Sequence, residues 1–187
     1  MHPTLSRYVE RVRSICEEPL SDAGRLRRIR AAAVDLVKEP PPLDEDLLRI
    51  PEGEGYGRNL IYRDPDHGFV VIAMVWPPNT GGDPHDHQTW GVVAVAEGTV
   101  RIENFVRLDD GQTPEHADLE EACTIEGSPG AVGYVLPPHE DIHAISNPSP
   151  DAMAVSIHTY GRDIVDCNLF RRDTGAVEPI HLGYHNE

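Results

Sequence analysis

The chain is short of cysteine, of aromatic residues and of positive charge, and it has no long apolar run. Its three cysteines, Cys16, Cys123 and Cys167, are an odd number and form no C-x-x-C pair, which argues against a disulfide framework. Lysine and arginine total 16 against 32 acidic residues, a formal net charge of −16. A nucleic-acid partner needs a cationic face, and such a balance disfavours one. Arg25, Arg27, Arg28 and Arg30 do cluster, but Glu17, Glu18, Asp22 and Asp35 offset them, so they read as a solvated helix face. No run approaches the roughly 18 apolar residues of a membrane span, so no membrane partner is expected. Residues 1–14 are broken by Arg7, Glu10, Arg11 and Arg13 and lack the apolar core of a signal peptide, so a cytoplasmic setting is expected. Fixed-period repeats and low-complexity segments are absent too.

What is present divides the chain into two styles of patterning. Over residues 4–18, Leu5, Tyr8, Val9, Val12, Ile15 and Cys16 form one stripe at helical spacing, with Pro3 near the start and Pro19 at or beyond the end. Ser21 suits the N-cap of a second helix whose inner face carries Leu26, Ile29, Ala33, Leu36 and Val37. Pro40, Pro41 and Pro42 close that region, and a short helical turn is expected over 43–48. Beyond Pro51, short apolar clusters recur between Gly, Pro, Asn and Asp: 59–62, 69–76, 91–96, 99–108, 122–126, 132–136, 141–146, 152–160 and 177–181. Such runs read as strands of an all-β sandwich or barrel. A length of 187 residues fits one domain, with a helical segment at 1–48 and a β region at 55–187.

Four stretches of the β region carry chemistry. In extended backbone, alternate side chains share a face, so His85 and His87 project together and two imidazoles so placed can share a metal ion. Pro138 is followed five residues on by His143 and then by Asn147, with His139 a competing ligand four residues earlier. Ser156, His158 and Tyr160 fall at a period of two, so hydroxyl, imidazole and phenol can hydrogen-bond in a chain on one strand face. Arg58, in Tyr56-Gly57-Arg58-Asn59-Leu60, offers a planar fork that matches a carboxylate.

His-x-His, a later glycine, and Pro-x-x-x-x-His-x-x-x-Asn resemble the two metal motifs of the cupins, a family of jelly-roll β-barrels. Ser156-Ile157-His158-Thr159-Tyr160 and the segment around Arg58 are similar to the cysteine dioxygenase branch, the thiol dioxygenases. The resemblance spans roughly residues 56–175. It implies a cupin jelly-roll barrel with N-terminal α-helices, in which His85, His87 and His143 hold Fe(II). It also implies that Arg58 grips a substrate carboxylate and that the Ser156–His158–Tyr160 chain orients oxygen chemistry. The partners implied are a small thiol, L-cysteine foremost, and O2.

Some features depart from the cupin pattern. Gly91 stands where many cupins place a fourth, glutamate ligand, and Glu140 replaces a usual glycine. Gly91 also occupies the position of the cysteine that crosslinks to tyrosine in animal members, so Tyr160 is expected unmodified. Related 3-mercaptopropionate dioxygenases draw an arginine from later in the chain, where Arg162, Arg171 and Arg172 are available. Mercaptosuccinate is a further alternative substrate. A Zn- or Mn-dependent cupin isomerase or hydrolase, or a small-molecule sensor, are the rivals of other classes. Neither the spacing nor the composition speaks to oligomeric state.

Overall fold

The computed structural model describes all residues, Met1–Glu187, and the chain forms the mainly β, antiparallel barrel with two N-terminal helices that the patterning predicts. Helix α1 (Pro3–Cys16) starts with the His2 side chain accepting from the Thr4 amide, and α2 (Asp22–Lys38) starts at Ser21, whose hydroxyl accepts from Gly24. Helix α1 ends at Cys16, the last residue of its apolar stripe and two short of the expected residue 18, as the chain turns ahead of Pro19. A single 3-10 turn follows at Glu45–Leu48.

Ten strands make the barrel: β1 (Gly57–Arg63), β2 (Val70–Trp76), β3 (Gly91–Glu97), β4 (Val100–Arg107), β5 (Leu119–Gly127), β6 (Val132–Val135), β7 (Ile142–Ser146), β8 (Ala154–Tyr160), β9 (Asp166–Phe170) and β10 (Val177–His181). One layer runs β1-β2-β8-β3-β6, and the facing layer holds β5-β4-β7 and the β9–β10 ribbon. Strand β9 was not anticipated; Asp166-Cys167-Asn168-Leu169-Phe170 lacks a clean period of two.

The His85-x-His87 segment is not the ladder strand that its alternation suggests. It pairs only at His85, which bridges His143 on one side and Leu169 on the other, and Gln88 at φ +54° ends the extended backbone. His85 and His143 exchange both backbone hydrogen bonds, at 3.0 and 3.2 Å. His85 thus pairs with both the β7 edge and the β9–β10 ribbon, flanked by backbone bonds from Asp86 to Asn168 and from Phe170 to Pro84, and the second layer is completed there.

The centre of the first layer, β2 and β8, is buried on both faces, which is why β2 reads as a continuous apolar run. Outside, the helical stripes (Leu5, Val9, Val12, Ile29, Ala33) pack with Val71, Val92, Ala94 and Ile157 in one cluster. Each fully buried aliphatic side chain there contributes roughly 1.5–3 kcal/mol. Inside, Val70, Ile72, Val93, Val95, Val100, Ile102 and Ile145 fill the space between the layers. A buried hydrogen bond of 2.7 Å between the Tyr8 and Thr159 hydroxyls ties α1 to the outer face of β8.

Candidate metal centre

His85, His87 and His143 meet at one end of the barrel interior, with ring centroids 4.8, 5.0 and 4.5 Å apart. One ligand atom from each lies within 4.8 Å of the others, and no carboxylate belongs to the group. The outer nitrogens explain the inward ones. The Nδ1 atoms of His85 and His87 lie 2.9 and 2.8 Å from the carbonyls of Asp83 and Asp141. A carbonyl only accepts, so each Nδ1 carries the proton and each Nε2 keeps a lone pair. The Nε2 atoms of His87 and His143 are buried with no hydrogen-bond partner. Buried polar atoms rarely go unpaired, so these two ring nitrogens within one three-histidine group fit a cation that takes up their lone pairs.

Charge follows the same logic. Burial first, then the neighbouring His87, pushes the His85 imidazole down to about 3. Burial likewise holds His143 well below the ordinary histidine value, with His87 and His85 adding to the effect. Neutral imidazole is the form that binds metal. Asp141 fixes the loop: its carboxylate accepts from the amides of His87 and Gln88, both at 3.1 Å.

On β8, the inward positions place Ser156, His158 and Tyr160 in one buried chain, with Ser156 Oγ 2.8 Å from His158 Nε2 and His158 Nδ1 2.9 Å from the Tyr160 hydroxyl. The polarity of the chain follows from its far end. Trp76 Nε1, which can only donate, reaches Ser156 Oγ at 3.0 Å. The hydroxyl proton of Ser156 has one acceptor within reach, His158 Nε2. His158 then carries its proton on Nδ1 and donates to the Tyr160 oxygen, which leaves the Tyr160 O–H free to point into the cavity. Burial keeps His158 neutral, well below its usual value, and raises the Tyr160 hydroxyl well above its own. The Tyr160 ring stacks on His87 at 5.1 Å. Gly91 permits this packing, since a Cβ there would sit 2.5 Å from the Tyr160 ring.

Arg58 faces the same cavity and is only 4% exposed. Its guanidinium donates to the carbonyls of Ile164 (2.6 Å) and Gly183 (3.0 Å) and lies 4.2 Å from the centre of the Tyr184 ring. The later arginines are engaged elsewhere: Arg162 with Gln88, Arg171 with Asp83 and Glu178, Arg172 with Glu103. His139 is exposed and outside the histidine group; it lines a second hollow of about 410 Å³ among β3, β4, β5 and β6, which His143 also borders.

The cavity itself measures about 60 Å³ and is walled by Ile72, Met74, Trp76, Ile145, Ile164 and Leu182 around His85, His87, His158, Tyr160 and Arg58. A water needs roughly 10–15 Å³ by this measure, so the space takes a molecule of a few heavy atoms. Cys167 is part of the wall, its thiol pushed up to about 11 by burial and therefore protonated. Three contributors escaped sequence reasoning: Trp76 as donor, Asp141 as loop anchor and Tyr184 beneath the guanidinium. Only Asp141, two residues before His143, stood beside a motif.

Comparison with known proteins covers this part of the chain. A model of the family described as cysteine dioxygenase type I matches residues 30–173, from within α2 to just past β9. Among solved structures, a cupin superfamily protein from Desulfitobacterium hafniense is 14% identical over 66% of this chain and 93% of its own, with a TM-score of 0.44. A conserved protein with a double-stranded beta-helix domain from Klebsiella pneumoniae is 13% identical over 71% of this chain and 93% of its own, with a TM-score of 0.49.

Proposed function

The chain belongs to the cysteine dioxygenase type I family, and from that premise we propose that it is an iron(II)-dependent thiol dioxygenase acting on a small thiol carboxylate, L-cysteine before others. The overall change is R–SH + O2 → R–SO2H, in which both oxygen atoms end on sulfur. The observation that carries the reading is the cavity's inventory. His85 and His87 of the three-histidine group, a free phenolic O–H and a guanidinium without a counter-ion line one space of about 60 Å³, and the Nε2 atoms of His87 and His143 are without partners.

His85, His87 and His143 would hold the iron through Nε2, and iron bound there supplies the activation of O2 and of the thiol sulfur that side chains lack. Arg58 binds the carboxylate through the N–H groups that its two carbonyl contacts leave unused, and so fixes the distance from carboxylate to sulfur. Tyr160, oriented by His158 and Ser156, donates its hydroxyl toward the atoms between which the new S–O bonds form. The apolar walls exclude water, which strengthens both interactions.

The test is oxygen uptake by iron-loaded protein with L-cysteine, 3-mercaptopropionate and mercaptosuccinate, with the sulfinate product quantified. Uptake matched by sulfinate supports the reading, and the preferred thiol names the substrate. Absence of thiol-dependent uptake across the panel would remove it.

A further inference from the structure

Arg58 presents an electrostatic problem that the metal site does not solve. A guanidinium 4% exposed is a buried cation, and burying a charge without an opposite one is costly. No carboxylate lies within ion-pair distance of Arg58, although Asp163 is next in sequence to Ile164, whose carbonyl the guanidinium already binds. The segment 182–187 accounts for both facts. It lies along the free edge of β1, where the His185 amide donates to the Arg58 carbonyl (2.8 Å) and His185 Nδ1 accepts from the Arg58 amide (3.0 Å). Asn186 adds two bonds to the Leu60 backbone, and Glu187 takes both terminal nitrogens of Arg63.

This anchoring sets Tyr184 beside Arg58 in two ways at once. Its ring offers a π face to the guanidinium at 4.2 Å, attraction that leaves the in-plane N–H groups open. Its hydroxyl donates to Asp163 Oδ1 at 2.5 Å, while Arg63 takes Asp163 Oδ2 at 2.8 Å. Both oxygens of Asp163 are therefore occupied.

We propose that Tyr184 is the positioning residue of the carboxylate subsite: its ring carries the Arg58 guanidinium, and its hydroxyl keeps Asp163 from neutralising it. The inference rests on the role proposed for Arg58. Segment 182–187 then sets which thiols bind well, by reserving a cation for those with an anionic end.

The decisive pair of probes is 3-mercaptopropionate and 2-mercaptoethanol, which share a thiol and two methylenes and differ in the carboxylate. Anaerobic calorimetric titration of iron-loaded protein measures both affinities. Tyr184→Leu weakens 3-mercaptopropionate by about tenfold, leaves 2-mercaptoethanol unchanged and leaves iron content unchanged. Tyr184→Phe keeps the ring and weakens 3-mercaptopropionate by about threefold, and adding Asp163→Asn restores it. Equal losses for the two thiols in Tyr184→Leu, or no rescue of Tyr184→Phe by Asp163→Asn, would overturn the proposal. Arg58→Leu abolishes discrimination between the probes. If Arg58→Leu discriminates as before, the carboxylate assignment falls and the role of Tyr184 with it; if only the Tyr184 variants are silent, Arg58 stands alone.

Discussion

Two kinds of histidine meet at the site. His85 and His87 come from a bridged loop, hold backbone carbonyls through Nδ1 and turn Nε2 inward, joined by His143 of β7, whose Nε2 is likewise buried without a partner; His158 comes from mid-β8 and has both nitrogens engaged. The same burial that would ruin a charged group keeps His143 and His158 neutral, yet the consequences differ. An imidazole with an unmet nitrogen is free to serve as a ligand. One with both nitrogens met is a relay that fixes the direction of its neighbours. Hydrogen-bond accounting, rather than residue type, separates the two.

The contrast can be broken first at the ligands. His143→Ala removes one of three inward donors and takes bound metal and turnover to background, read by metal analysis and oxygen uptake. Tyr160→Phe acts on the other kind: metal content holds while kcat falls by about a hundredfold, the loss expected for one well-placed donor. If both variants lose metal, the distinction between ligand and relay fails.

The smallest effect is a pH dependence that the two kinds share. Both His143 and His158 have folded-state values well below the ordinary 6.5, so the unfolded chain takes up protons that the folded one refuses. Stability of metal-free protein is therefore full above about pH 6.5 and falls on acidification by about 1.4 kcal/mol per pH unit for each such imidazole. Denaturant titrations at pH 7.5 and 5.5 measure the slope, and His158→Gln should lessen it by one increment.

Much of this was legible in the chain because local rules and burial agree there. The stripes of α1 and α2 predict their buried faces, and the period of two in Ser156, His158 and Tyr160 predicts one shared face of β8. The single-residue bridge at His85 was not legible, because its partners, His143 and Leu169, lie far along the chain. Strand β9 was hidden for a related reason. Its order comes from pairing with β10 and from Asp86, whose carboxylate holds the Asn168 backbone and side chain at 3.0 and 2.7 Å, and not from its own pattern. Tyr184 and Trp76 matter through what they touch, and spacing along a sequence does not report that.

The stitch at His85 has a mechanical meaning. The β9–β10 ribbon is joined to the β7 edge through the segment 84–86, and one residue of that seam, His85, also turns its ring toward the histidine cluster. A substitution that displaces His85 therefore disturbs the wall of the barrel together with the cluster.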